Sequence, residues 1–166
     1  MREQTPLTWT VGHHRKPQQD PTRWMDAVVP GAVQLDVARA EGYPPWTFGD
    51  NWKDYRWCED VLWPDRARFA RSDPRAGRLF FVSRGIDYAF DITLNGEHLL
   101  KQEGMYTPVE IDLTDRLQDD NELRVTVHPA PKLAGAEGHA QADRSCKPPV
   151  SYGWDWHPRL IPLGIW

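Results

Sequence analysis

Near the end of the chain a carboxylate stands between two indoles, in the run Gly153-Trp154-Asp155-Trp156-His157-Pro158-Arg159. These residue types suit a sugar: aromatic faces cover the C–H face of a pyranose, and a carboxylate accepts hydrogen bonds from its hydroxyls. Asp155 reads as an oriented acceptor in a pocket, against the simpler alternative of a surface residue capping a turn. If the run is an extended strand, Trp154 and Trp156 leave one face and Asp155 the other. The indoles then either meet a ligand or fill a core, as Trp often does in β-sandwiches. The guanidinium of Arg159 can hold a carboxylate in a fork, with Asp155 or Asp50 as the partner it would orient. Asp50-Asn51 follows Gly49 and precedes Trp52, a composition that also makes a plain turn. Trp46, Trp52 and Trp57 lie around it. The chain has nine tryptophans, more than a core of this size needs, so some line a surface or cleft.

Other chemistries find little support. No nucleophile-elbow pattern is present. Glu41, Glu59 and Asp60 form no recognisable acid/base pair, and His13, His14 and His139 lack partners at metal-ligand spacing, so they read as surface residues. Cys58 and Cys146 make neither a metal motif nor a disulfide framework; two reduced thiols is the simplest reading, one disulfide the alternative.

Composition narrows the partners. The net charge is -4 and no basic run occurs, which argues against nucleic acid. No apolar stretch approaches the roughly 20 residues that span a bilayer, which argues against a membrane. Residues 1–16 carry no apolar signal-peptide core, which favours a cytoplasmic location. A length of 166 residues, 40% of them apolar, fits one domain with a real core, residues 1–166.

The elements that must position these residues are short. Fifteen prolines and twelve glycines are spread through the chain, so long helices are disfavoured. Residues 7–11 read as a strand and residues 29–31 as a turn. Residues 32–41 read as one short helix, with Val33, Val37 and Ala40 at helical spacing beside Leu35 and Gly42 as the stop. Residues 43–60 look irregular. Residues 61–69 suggest a strand interrupted by Pro64 and Asp65. Strands are predicted at 79–83 and at 88–94, where Tyr88, Phe90, Ile92 and Leu94 share a face. Asn95-Gly96 is a type I′ hairpin signal, with 97–101 as the return strand. Val109, Ile111 and Leu113 alternate, Asp119-Asp120-Asn121 reads as a turn, and 122–128 as a last strand. Residues 129–149 read as a long loop. Short strands at regular spacing argue for an antiparallel β-sandwich or jelly roll.

Several of these stretches, in order, resemble the N-terminal domain of glycoside hydrolase family 2, and its β-mannosidase branch in particular. Val29-Pro30-Gly31-Ala32-Val33 with Leu35-Asp36 resembles the branch's opening "VPG-T-V-x-x-D". Phe48-Gly49-Asp50-Asn51 resembles "YGDN". Gly85-Ile86-Asp87 with Ile92-Thr93-Leu94-Asn95-Gly96 resembles its "G-x-D" and "LNG" pair, and Asp120-Asn121-Glu122-Leu123 its "G-x-N-x-L". Residues 152–159 resemble "FGWDWGPR", and Gly164-Ile165-Trp166 the "GIW" that follows. The set covers residues 7–166. His157 departs from it, standing where the branch usually has glycine; Trp63-Pro64-Asp65 and residues 144–149 also differ.

The resemblance implies an all-β, galactose-binding-like jelly-roll β-sandwich with one short helix, in a truncated piece of a multidomain enzyme. Catalysis in that family belongs to two Glu side chains of a (β/α)₈ barrel, a retaining pair roughly 5–5.5 Å apart. Such a barrel takes about 250 residues, so no catalytic residue is assigned in this chain, which would not hydrolyse alone. Its partners would be a β-linked glycoside and the barrel of the same polypeptide. Asp155 would reach the sugar at the cleavage point, and Asn51 would lie near it. Asp50, Trp154, Trp156 and Arg159 complete the substrate-binding set, although Arg159 could instead pair with the barrel, and exposed tryptophans around Asn51 would pack against the next domain. No cofactor or metal ligand is expected, although the fold often holds a structural calcium; no carboxylate cluster here compels one. Two rival readings are a stand-alone carbohydrate-binding module and a domain that only braces the barrel.

Overall fold

The computed structural model describes residues 4–71 and 77–166. In chain order its elements are β1 (Trp9–Val11), β2 (Met25–Ala27), α1 (Val33–Glu41), a 3₁₀ helix at Asn51–Asp60, β3 (Trp63–Ala70), β4 (Phe80–Ser83), β5 (Ile86–Asp87), β6 (Ala89–Leu94), β7 (Glu97–Glu103), β8 (Val109–Asp112), β9 (Asp120–Val127), further 3₁₀ turns at Gly138–Arg144 and Pro149–Tyr152, and β10 (Gly164–Ile165).

The best-patterned stretches form the centre of the main sheet. Phe90, Ile92 and Leu94 of β6 and Leu123, Val125 and Val127 of β9 all point into the core. Asn95 and Gly96 turn β6 into β7 with φ of 52° and 85°, the two positive values a type I′ turn needs. The sheet runs β2-β1-β3-β9-β6-β7, and every pair is antiparallel. Two short antiparallel pairs, β4–β8 and β5–β10, make the rest. One apolar cluster joins them all: Trp9 and Phe90 from the main sheet meet Phe81, Val109, Ile86 and Ile165 from the short pairs. The architecture is the galactose-binding-like β-sandwich expected from the sequence. No helix among the described residues is long and apolar enough to cross a membrane.

Helix α1 starts one residue later than predicted and ends at Gly42, which takes the left-handed conformation (φ 72°) that glycine adopts without strain. Val33 and Val37 face inward, but Leu35 faces solvent. Four other expectations need correction. Strand β3 runs through Pro64 and Asp65 unbroken, because the Pro64 carbonyl still accepts the Gly12 N–H (3.1 Å). Asp65 is buried; burial first, and the charge of Asp36 second, push its carboxyl well above the usual carboxylate range. Of the polar "turn" at 119–121, Asp119 is a bend but Asp120 and Asn121 already belong to β9, where buried Asn121 exchanges hydrogen bonds with the backbone of Gln118 and accepts one from Asn95. Half of the segment read as irregular, residues 51–60, is 3₁₀ helix, and β2 is an additional strand. Both cysteines are free thiols, and burial pushes that of Cys58 up to about 12.

Candidate functional site

The Trp154-Asp155-Trp156 run is a tight turn and not a strand. The Trp154 N–H donates to the His157 carbonyl (2.9 Å) and the His157 N–H to the Trp154 carbonyl (3.3 Å), leaving Asp155 and Trp156 at the tip. Gly153, at φ 108°, lets the chain leave the preceding 3₁₀ turn in a direction that a side chain would oppose. The predicted alternation therefore fails, and neither indole enters the core: Trp154 is 45% exposed and Trp156 73%. Asp155 is also exposed, and no described residue bonds its carboxylate. The tip is a carboxylate open to a ligand with aromatic surface on either side.

Ring contacts hold this tip from two directions. Trp154 lies against His139 (centroids 4.2 Å apart), which ties it to the long excursion after β9. His157 lies between Trp156 (6.0 Å) and Trp46 (6.2 Å), within the span of favourable aromatic pairs. His139 is exposed, as its reading as a surface residue expects, and its ring supports Trp154.

Beneath the tip, Arg159 meets Glu59. Nε lies 3.1 and 3.0 Å from the two carboxylate oxygens and Nη2 lies 2.7 Å from Oε1, while Nη1 donates to the Tyr152 carbonyl (3.1 Å). The pairing expected with Asp155 or Asp50 does not form. Glu59 is buried at the end of its 3₁₀ helix, and a buried carboxylate needs a charged partner more than an exposed one does. Lys132 supplies a second cation at 2.8 Å. Tyr152 packs under the guanidinium (5.5 Å) and donates to the Pro131 carbonyl (2.6 Å). Burial pushes its hydroxyl up to about 12, so it stays a neutral donor.

The Asp50-Asn51 pair shapes a neighbouring loop. Asn51 donates from Nδ2 to the Pro45 carbonyl (2.9 Å) and from its backbone to Phe48 (3.2 Å). That closes the loop carrying Trp46, whose ring reaches His157. Asp50 is exposed and pairs with Lys53 (2.6 Å). Phe48 is 77% exposed. Of the three tryptophans around Asn51, some of which were expected to face a neighbouring domain, Trp57 packs on Trp63 and His13, and Trp52 is flanked by Lys53 and Arg56. Trp46 is brought to the Asp155 tip through His157; no described hydrogen bond joins Asn51 or Asp50 to Asp155 or Arg159.

The segment after Arg159 is fixed to the start of α1. Gln34 donates to the Ile161 carbonyl (2.6 Å) and accepts from the Leu163 N–H (3.4 Å), and Val33 N–H donates to the Leu163 carbonyl (2.9 Å). A Cβ on Gly164 would run into the Gly31 carbonyl, so glycine is required there. From the other side buried Lys147 reaches Asp87 (2.5 Å) and the Pro162 carbonyl (2.7 Å). Grooves of about 650 Å³ beside His14 and His128 and about 470 Å³ beside Asn95 are not lined by the tip residues. Asp155 stands exposed, on an open wall. Among the described residues no three His, Cys, Asp or Glu side chains gather as a metal site.

Comparison with known proteins gives this wall a context. Residues 9–166 match the family described as Glycosyl hydrolase 2 galactose-binding domain-like. The chain is 26% identical over 165 residues to Beta-mannosidase B of Emericella nidulans, covering 89% of this chain and 20% of that protein. It superposes on the crystal structure of a Beta-D-Mannosidase from Dictyoglomus thermophilum with a TM-score of 0.73 and 26% identity, covering 96% of this chain and 21% of that one. The fold recurs at 19% identity in a Beta-glucuronidase of an uncultured Clostridium sp., with a TM-score of 0.54. The chain thus spans about a fifth of the length of the mannosidases it matches.

Proposed function

Because the chain belongs to the glycosyl hydrolase 2 galactose-binding-like family, we propose that it is the N-terminal carbohydrate-recognising domain of a retaining β-glycosidase of the β-mannosidase type. In this reading it forms one wall of the glycon pocket, and a catalytic barrel of the same polypeptide supplies the acid/base and nucleophile. The observation that carries the reading is the Trp154–His157 turn, which sets at its tip an exposed Trp156 and an Asp155 carboxylate without a partner among the described residues.

Each named residue then has a task. Asp155 accepts hydrogen bonds from two glycon hydroxyls. Trp156 offers a face to the pyranose. Arg159, clamped on Glu59, fixes where the turn stands, and Asn51 holds the loop of Trp46 beside it. Asp50 and Trp154 support the rim. Preorganised acceptors of this kind contribute most where the sugar distorts towards the oxocarbenium-like transition state and its hydroxyl contacts tighten. A domain that lends one wall to a shared pocket holds little sugar by itself.

The test is a panel of chromogenic β-mannoside, β-galactoside, β-glucuronide and β-glucosaminide presented to the full glycosidase. Selective cleavage of the β-mannoside is expected. Cleavage of none by a folded enzyme, together with sugar binding by the 166-residue chain, would support a binding module instead.

A further inference from the structure

We infer that His157 is a specificity-determining residue of this site, its Nδ1 bonded to the protein and its Nε2 accepting a hydrogen bond from one hydroxyl of the bound glycon. The inference rests on the glycosidase reading above and adds a second acceptor to it.

The tautomer follows from one contact. Nδ1 of His157 lies 2.6 Å from the carbonyl oxygen of Pro158. A carbonyl oxygen can only accept, so Nδ1 carries the proton. In a neutral imidazole the other nitrogen is then an acceptor. Nε2 has no partner among the described residues, and the ring is only half-buried. No donor among the described residues occupies the Nε2 lone pair, which leaves it available to a ligand.

Ring and backbone have separate roles here. The turn is closed by the backbone N–H and carbonyl of His157, and any residue could provide those. The imidazole adds something else: it is held between Trp46 and Trp156, so its acceptor is oriented before a ligand arrives, which lowers the entropic cost of the bond. Asp155 and His157 stand two positions apart on one backbone-closed turn, which in this proposal puts two acceptors within reach of one ligand. That pair suits a polyol, whose hydroxyls donate to both, and a ligand lacking one hydroxyl leaves an oriented acceptor unpaired.

The experiment compares the full glycosidase with its His157→Phe, His157→Gln and Asp155→Ala variants. Each is assayed on the glycoside the enzyme cleaves and on the monodeoxy forms of its glycon. Loss of one neutral hydrogen bond predicts a fall in kcat/KM of about two- to tenfold for His157→Phe. For one deoxy substrate, the one lacking the contacted hydroxyl, the penalty should vanish. His157→Gln, whose amide oxygen also accepts, should recover most of the loss. An equal penalty on every substrate, or none on any while Asp155→Ala remains impaired, would overturn the role of His157 alone. Wild-type rates in both His157→Phe and Asp155→Ala would overturn the glycon-wall reading beneath it. Imidazole ¹⁵N spectra of the 166-residue chain give an independent check: an Nδ1–H tautomer is expected for His157, and Nε2–H would contradict the assignment.

Discussion

Arg159 and Glu59 lie a hundred positions apart in the chain and meet side by side under the proposed sugar wall. Their side chains are 14% and 7% exposed, so removing Arg159 leaves the buried Glu59 carboxylate with Lys132 as its one remaining cation among the described residues. Arg159→Ala should lower stability by about 3 kcal/mol, and Arg159→Lys by less, because an ammonium lacks the fork; urea denaturation reads both. Asp65 makes a different prediction. Its folded pKa is raised above the ordinary 3.8, so the unfolded chain releases this proton first. Its contribution to stability is full below about pH 4 and falls as pH rises, by up to about 1.4 kcal/mol per pH unit, until the folded group also ionises. Asp65→Asn should remove that slope above pH 4, and an unchanged slope in denaturation curves would contradict the assignment. At this scale the sequence was legible where chemistry is local. Asp155 between two indoles could be singled out from three adjacent letters, whereas nothing near Arg159 pointed to Glu59. The flanking Gly153 and Pro158 were the available sign that the run turns instead of extending.

The elements show why patterned strands were easier to read than the segments that carry the wall. Strands β6 and β9 alternate cleanly because one face is core, and Asn95-Gly96 sets their hairpin turn through backbone preference alone. Strand β3 was obscured because its irregular letters are explained only by the fold: the Pro64 carbonyl accepts the Gly12 N–H, and Asp65 sits buried near Asp36. The long excursion after β9 had no pattern to read because scattered contacts anchor it, among them Tyr152 on the Pro131 carbonyl and one buried ion pair. Lys147 clips it to Asp87 at the edge of β5 and to the Pro162 carbonyl beside the terminal segment. Burial pushes Asp87 up and Lys147 down, so each charge depends on the other. Lys147→Met should cost about 3–5 kcal/mol, visible as a lowered thermal midpoint. The double variant with Asp87→Asn should cost less than Lys147→Met alone, and a greater cost would argue against the pair.

For the whole molecule, the ordered set of family-like stretches fixed fold and family together, since each piece lies where the sandwich uses it. Gly31 and Gln34 brace the terminal segment, the 85–96 stretch forms β5, β6 and the hairpin turn, and the last motif forms the wall. What the sequence could not show is how much aromatic surface stays uncovered. Phe48, Trp154 and Trp156 are exposed, as are Tyr106 and Trp166, whose rings lie 6.1 Å apart. Surfaces of this kind associate in water. The 166-residue chain should therefore show concentration-dependent association in light scattering, and a uniformly monomeric sample across a wide concentration range would contradict this. The central claim is that Asp155 recognises the glycon, and its most direct test is the steady-state kinetics of Asp155→Ala in the full glycosidase, with folding checked by its thermal midpoint. Loss of one or two charge-assisted hydrogen bonds predicts a fall in kcat/KM of about ten- to a hundredfold at an unchanged midpoint; wild-type kcat/KM at that midpoint would leave the domain only a bracing role.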